Sequence, residues 1–62
     1  MSITAEEISL GDEVTVKDDY GRGQLLTGVV TDVCEFTQEV VYRLNNGVEK
    51  WCKVNQIVVL SK

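Results

Sequence analysis

Five short apolar stretches run along this chain, cut by clusters of turn residues, and the first of them, Val14-Thr15-Val16-Lys17, alternates apolar and polar with period two. Period two marks strands with one buried face. Strands are predicted over 14–17, 25–33, 39–44, 48–53 and 57–60. Asp18-Asp19-Tyr20-Gly21-Arg22-Gly23-Gln24 forms the first loop, with two glycines and two acids in it. Cys34-Glu35-Phe36-Thr37-Gln38 forms the second, with Phe36 expected to fold back over the end of the sheet. Gly28 interrupts an apolar strand, as a bulge, a bend or the close approach of another backbone requires. Residues 2–7 read as one helical turn: Thr4 caps it, Glu7 completes a capping box, and Ile3 and Ile8 form a hydrophobic staple. Val54-Asn55-Gln56 reads as a single tight helical turn before the last strand.

The hairpin register decides which side chains face the core. Asn46-Gly47 between two β-prone runs signals a tight turn, because a type I′ turn needs positive φ at both central residues. As a two-residue turn it sets Arg43 opposite Lys50 and Tyr42 opposite Trp51. Tyr42, Trp51, Val40 and Leu44 then face the core, while Val41, Arg43, Lys50 and Cys52 face out. A three-residue loop, Asn45-Asn46-Gly47, shifts the register by one and so reverses faces. It sets Arg43 opposite Glu49 and turns Trp51 outward. The first register is preferred, since a small core needs its only tryptophan.

At 62 residues the chain is expected to be one domain, with 1–10 as lead-in and 11–60 as a small barrel. A domain of this size buries only about 60% of its unfolded surface, so its stability margin is thin. The two cysteines, Cys34 and Cys52, are too few for a disulfide framework and lack a histidine to complete a zinc site. No metal and no cofactor are expected. No signal peptide and no apolar run of membrane-spanning length are seen, so a cytoplasmic protein with no membrane contact is expected.

The net charge of −4 divides unevenly. Residues 1–39 carry nine acids against Lys17 and Arg22, a net of −7; residues 40–62 carry Glu49 against Arg43, Lys50, Lys53 and Lys62, a net of +3. The acidic total disfavours binding to phosphate backbones, and leaves Arg43, Lys50 and Lys53 as the one candidate anion contact.

The order of elements resembles the Src-homology-3-like small barrels, a group that includes Tudor and KOW modules. The residues that carry the resemblance are Gly11-Asp12-x-Val14-x-Val16, Gly28-x-Val30-x-x-Val33, Val40-Val41-Tyr42-Arg43-Leu44 and the turn before Ile57. The layout is also similar to the E subunit of photosystem I and to type II dihydrofolate reductases. It implies an all-β, five-stranded Src-homology-3-like small barrel, and says little of function, because this architecture hosts many tasks. The reductases carry Val-Gln-Ile-Tyr on the fourth strand where this chain has Glu49-Lys50-Trp51-Cys52, so their activity does not carry over. A Tudor-like or peptide-binding aromatic groove would draw on Tyr20 and Phe36 in the two flanking loops.

Catalysis finds little support. There is no histidine, Asp12-Glu13 and Asp18-Asp19 are adjacent pairs whose members point apart in a strand, and Gly21-Arg22-Gly23 lacks the rest of a phosphate loop. No enzyme is expected. Apolar residues at outward strand positions argue for a protein partner, so a non-enzymatic adaptor is expected to bind through strands two to four. Its contacts would be Val29, Val41, Arg43, Lys50 and Cys52. The alternatives are a KOW-like nucleic-acid or ribosome-associated module on the basic hairpin, and a homo-oligomer with a small-molecule site on its axis.

Overall fold

Residues 3–18 and 23–62 are described by a computed structural model of the chain. Asp19, Tyr20, Gly21 and Arg22 of the expected first loop and Ser2 of the expected N-terminal turn lie outside the described residues. The fold is all-β. Among the described residues, five strands, β1 (Glu13–Asp18), β2 (Gln24–Cys34), β3 (Glu39–Arg43), β4 (Glu49–Lys53) and β5 (Ile57–Ser61), form one antiparallel sheet in the order β4-β3-β2-β1-β5. Its hydrogen-bonded ladder is open, with β4 and β5 as its edges. Among the described residues the helical pieces are two single 3-10 turns, Ala5–Glu7 and Val54–Gln56. The strands follow the predicted ranges to within a residue at each end, because the turn residues between the β-prone stretches set where pairing stops.

Val14, Val16, Val30, Val40, Tyr42, Cys52, Val54 and Ile57 form one buried core together with Ala5 and Ile8 of the N-terminal segment. β-Branched valine dominates because it suits a pleated, half-buried surface. Gly28 shows why a strand centre lacks a side chain there. A Cβ at that position would stand 2.6 Å from the carbonyl oxygen of Arg43 and 2.9 Å from Tyr42 Cδ2. Of the three expected roles for Gly28, close approach of a neighbouring backbone is the one found. Three residues on, the β2–β3 register slips between Val30 and Asp32, leaving Thr31 as the extra residue of a bulge.

The N-terminal turn forms without the expected capping box. Thr4 makes no side-chain cap bond. Instead Ala5 N–H donates to Gln38 Oε1 at 2.9 Å, so the cap comes from a residue 33 positions away. Gln38 Nε2 also donates to the Glu35 carbonyl at 2.7 Å and to Glu6 Oε1 at 3.2 Å, and the Gln38 carbonyl accepts from Val54 N–H at 3.0 Å. Gln38 thus ties the second loop to both 3-10 turns, and it holds a left-handed φ of 58° to do so. With Gln38 and the N-terminal turn occupying that end of the core, Phe36 is turned out and 97% exposed rather than folded over it.

The hairpin takes the three-residue loop. Gly47 N–H donates to the Leu44 carbonyl and Leu44 N–H to the Val48 carbonyl, both at 2.9 Å, with Gly47 at φ 86°. This is a turn closed by a left-handed glycine, and Asn46 Oδ1 reinforces it by accepting from Val48 N–H at 3.0 Å. The register that follows pairs Val40 with Cys52, Val41 with Trp51, Tyr42 with Lys50 and Arg43 with Glu49. Three expectations change with it. Trp51 is 59% exposed, not core; Cys52 is buried, not an outer-face contact; and Lys50 sits across from Tyr42, off the face that carries Val41.

Candidate interaction face

The outer faces of β2, β3 and β4 form three cross-strand rows. Val29, Arg43 and Glu49 make the first, Asp32, Val41 and Trp51 the second, and Cys34, Glu39 and Lys53 the third. The register therefore brings together Val29, Val41 and Arg43 from the expected contact set, and it removes Lys50 and Cys52. Trp51, Asp32 and Glu39 join them. The signal for Trp51 in the sequence was the Asn45-Asn46-Gly47 loop option, since a one-residue slip exchanges the two faces of β4; Asp32 and Glu39, on β2 and β3, had no such signal.

Both charged rows are internally neutralised. Arg43 Nη2 meets Glu49 Oε2 at 3.1 Å, and Lys53 Nζ meets Glu39 Oε2 at 3.3 Å. The like-charge opposition of Arg43 and Lys50 expected from the two-residue turn does not occur. Thr37 Oγ1 donates to the other oxygen of Glu39 at 2.8 Å. That hydroxyl bond, helped by Lys53, lowers the Glu39 pKa below the ordinary carboxylate value.

Between the rows lies a groove of about 280 Å³ lined by Asp32, Cys34, Glu39, Val40, Val41 and Trp51. Valine and tryptophan supply its apolar lining, and Asp32 and Glu39 add two carboxylates to it. The Cys34 thiol is exposed there, and bonding to the side chain and backbone of Thr37 lowers its pKa. Cys52, on the opposite side of the sheet, is buried, and desolvation raises its pKa to about 11. The two thiols lie on opposite faces and form no disulfide. Among the described residues, no cluster of three or more His, Cys, Asp or Glu is placed to hold a metal ion, and no helix is long and apolar enough to cross a membrane.

The aromatic pair Tyr20–Phe36 has one member outside the described residues, and the other, Phe36, projects from the β2–β3 loop. The basic set Arg43, Lys50 and Lys53 does not gather into one patch. Arg43 and Lys53 are on the outer face, each against a carboxylate, while Lys50 belongs to the face of Tyr42. No family model, no curated protein and no solved structure matches this chain.

Proposed function

We propose that this chain is a non-enzymatic, cytoplasmic Src-homology-3-like module that docks a protein partner on the outer face of β2, β3 and β4. The strand order β4-β3-β2-β1-β5, with a 3-10 turn leading into β5, supports the Src-homology-3-like reading. The observation that carries the functional reading is the exposed Trp51 beside Val41 over the groove. An exposed tryptophan on a rigid strand loses little conformational freedom on binding, which is why such residues dominate contact energies. Val29, Val41, Arg43 and Trp51 are the proposed contacts. The groove suits a segment with an apolar side chain to lie against Val41 and the indole, flanked by a basic residue to meet Asp32.

The nucleic-acid reading has less to rest on, because Arg43 and Lys53 already hold Glu49 and Glu39. The test is capture from a nuclease-treated cell extract by wild-type protein and by Val41→Glu and Trp51→Ala. A defined protein held by the wild type and lost from both variants is the expected result. Capture that survives both substitutions, or that vanishes with nuclease, refutes docking on this face.

A further inference from the structure

β4 is an edge strand whose sequence, Glu49-Lys50-Trp51-Cys52-Lys53, is complementary to its own reverse in one register. The hydrogen-bond phase of the β3–β4 ladder shows which groups face outward. Bonded pairs alternate with unbonded ones in an antiparallel ladder. Leu44 bonds Val48 and Gln38 bonds Val54 on this ladder, so Tyr42–Lys50 and Val40–Cys52 are its bonded pairs between them. Glu49, Trp51 and Lys53 therefore direct their backbone N–H and C=O groups to the free edge. The Lys53 N–H is closed off by Gln56 Oε1 at 3.0 Å, which marks where that edge stops.

We propose that two copies of this chain associate through antiparallel pairing of β4 with β4 about a two-fold axis at Trp51. In this register Trp51 faces the partner's Trp51, and Glu49 faces the partner's Lys53 at both ends. Each Trp51 N–H donates to the opposite Trp51 carbonyl, while Glu49 and the opposite Lys53, whose backbone is taken up by the Val54–Gln56 turn, meet through their charged side chains. The charged rows of one copy then continue into the other with alternating sign: Arg43, Glu49, the partner's Lys53, the partner's Glu39. Between them runs an apolar row of Val41, Trp51 and their two counterparts. Opposite charges directly across a sheet stabilise it and like charges oppose it, which is what selects the register. A slip of the partner toward the hairpin sets Lys50 against Lys50, and a slip the other way leaves Glu49 without a cation.

The other edge lacks these features. β5 carries no charged residue to fix a register, and its ladder with β1 is broken between Thr15 and Val16, with Val58 as the extra residue. The contact is isologous and closes as a dimer rather than growing into a fibre. It forms one continuous sheet of ten strands with two groove-bearing faces side by side, whether or not either face docks a further protein.

Sedimentation velocity of the full chain, from micromolar to millimolar concentration, tests the pairing. The mass should rise from 6.9 kDa toward twice that value, with a blue shift of tryptophan emission that reports Trp51 alone. Glu49→Lys and Lys53→Glu should each weaken the dimer by at least about tenfold. The double variant Glu49→Lys/Lys53→Glu should restore it. It keeps the repulsions inside each chain, against Arg43 and Glu39, so recovery reports the contact between chains and not a repaired fold. Thermal melts of dilute samples show that each variant is folded. A monomer at every concentration overturns the proposal, as does a dimer indifferent to the single reversals or one that the double reversal fails to rescue.

Discussion

Gly28→Ala adds one methyl group where β2 passes closest to β3. The new carbon would lie 2.6 Å from the Arg43 carbonyl oxygen, where ordinary contacts begin at 3.4 Å, so it is 0.8 Å too close to main chain. Tyr42 Cδ2, at 2.9 Å, blocks the other direction, and Tyr42 is itself buried. Neither obstacle is the loose end of a flexible side chain, so the strands must separate. Overpacking of this kind costs about 1–3 kcal/mol, and backbone contact puts it at the upper end. Alanine returns about 0.4–1 kcal/mol by restricting the unfolded chain. The net loss is about 2 kcal/mol, a drop of about 8–16 °C in Tm for a domain this small. It is a large share of the roughly 3–9 kcal/mol that such a chain holds in total. Urea and thermal unfolding followed by circular dichroism read it directly. Displacement of Arg43 should also loosen its pair with Glu49, visible as chemical-shift changes that extend from β2 and β3 into β4. A Gly28→Ala variant as stable as the wild type would refute the close approach.

Two further outcomes separate the two faces of the sheet. Trp51→Ala should cost less than about 1 kcal/mol, as for an exposed side chain, while Tyr42→Ala should cost about 3–5 kcal/mol; equal costs in urea unfolding would return Trp51 to the core. Near neutral pH, iodoacetamide should label Cys34 in the folded protein and reach Cys52 only on unfolding. Cys52 keeps its proton longer folded than unfolded, so its contribution to stability is intact below pH 9. It is lost as the pH rises from 9.0 to about 11, by about 1.4 kcal/mol per unit. Cys52→Ala should lack that part of the alkaline loss, and equal labelling of both thiols in the native state would contradict the burial.

Local pattern settled a great deal here. Short β-prone stretches between turn residues placed all five strands, because β-branched and aromatic side chains suit a pleated, half-buried surface. The glycine in β2 announced a close approach without saying to what, since the absence of a side chain is visible in sequence while its neighbour is not. The Asn-Asn-Gly segment located the hairpin but allowed two loops that differ by a single residue.

Tertiary structure decided between those loops, and with them the candidate site. Local turn chemistry is nearly balanced between the two, whereas the face buried by β4 differs completely. The three-residue loop buries the small Cys52 beneath Val40 and Tyr42, and it sets opposite charges across from each other on the outside. The choice belongs to the packed sheet, where burial and ion pairing are read together over several strands. Gln38 makes the same point at the other end of the sheet: its bonds to Ala5 and Val54 span segments that meet only after the chain has folded. Short β-prone stretches along the chain determined that strands form; long-range contacts determined which side of β4 is exposed, and so where a partner can meet it.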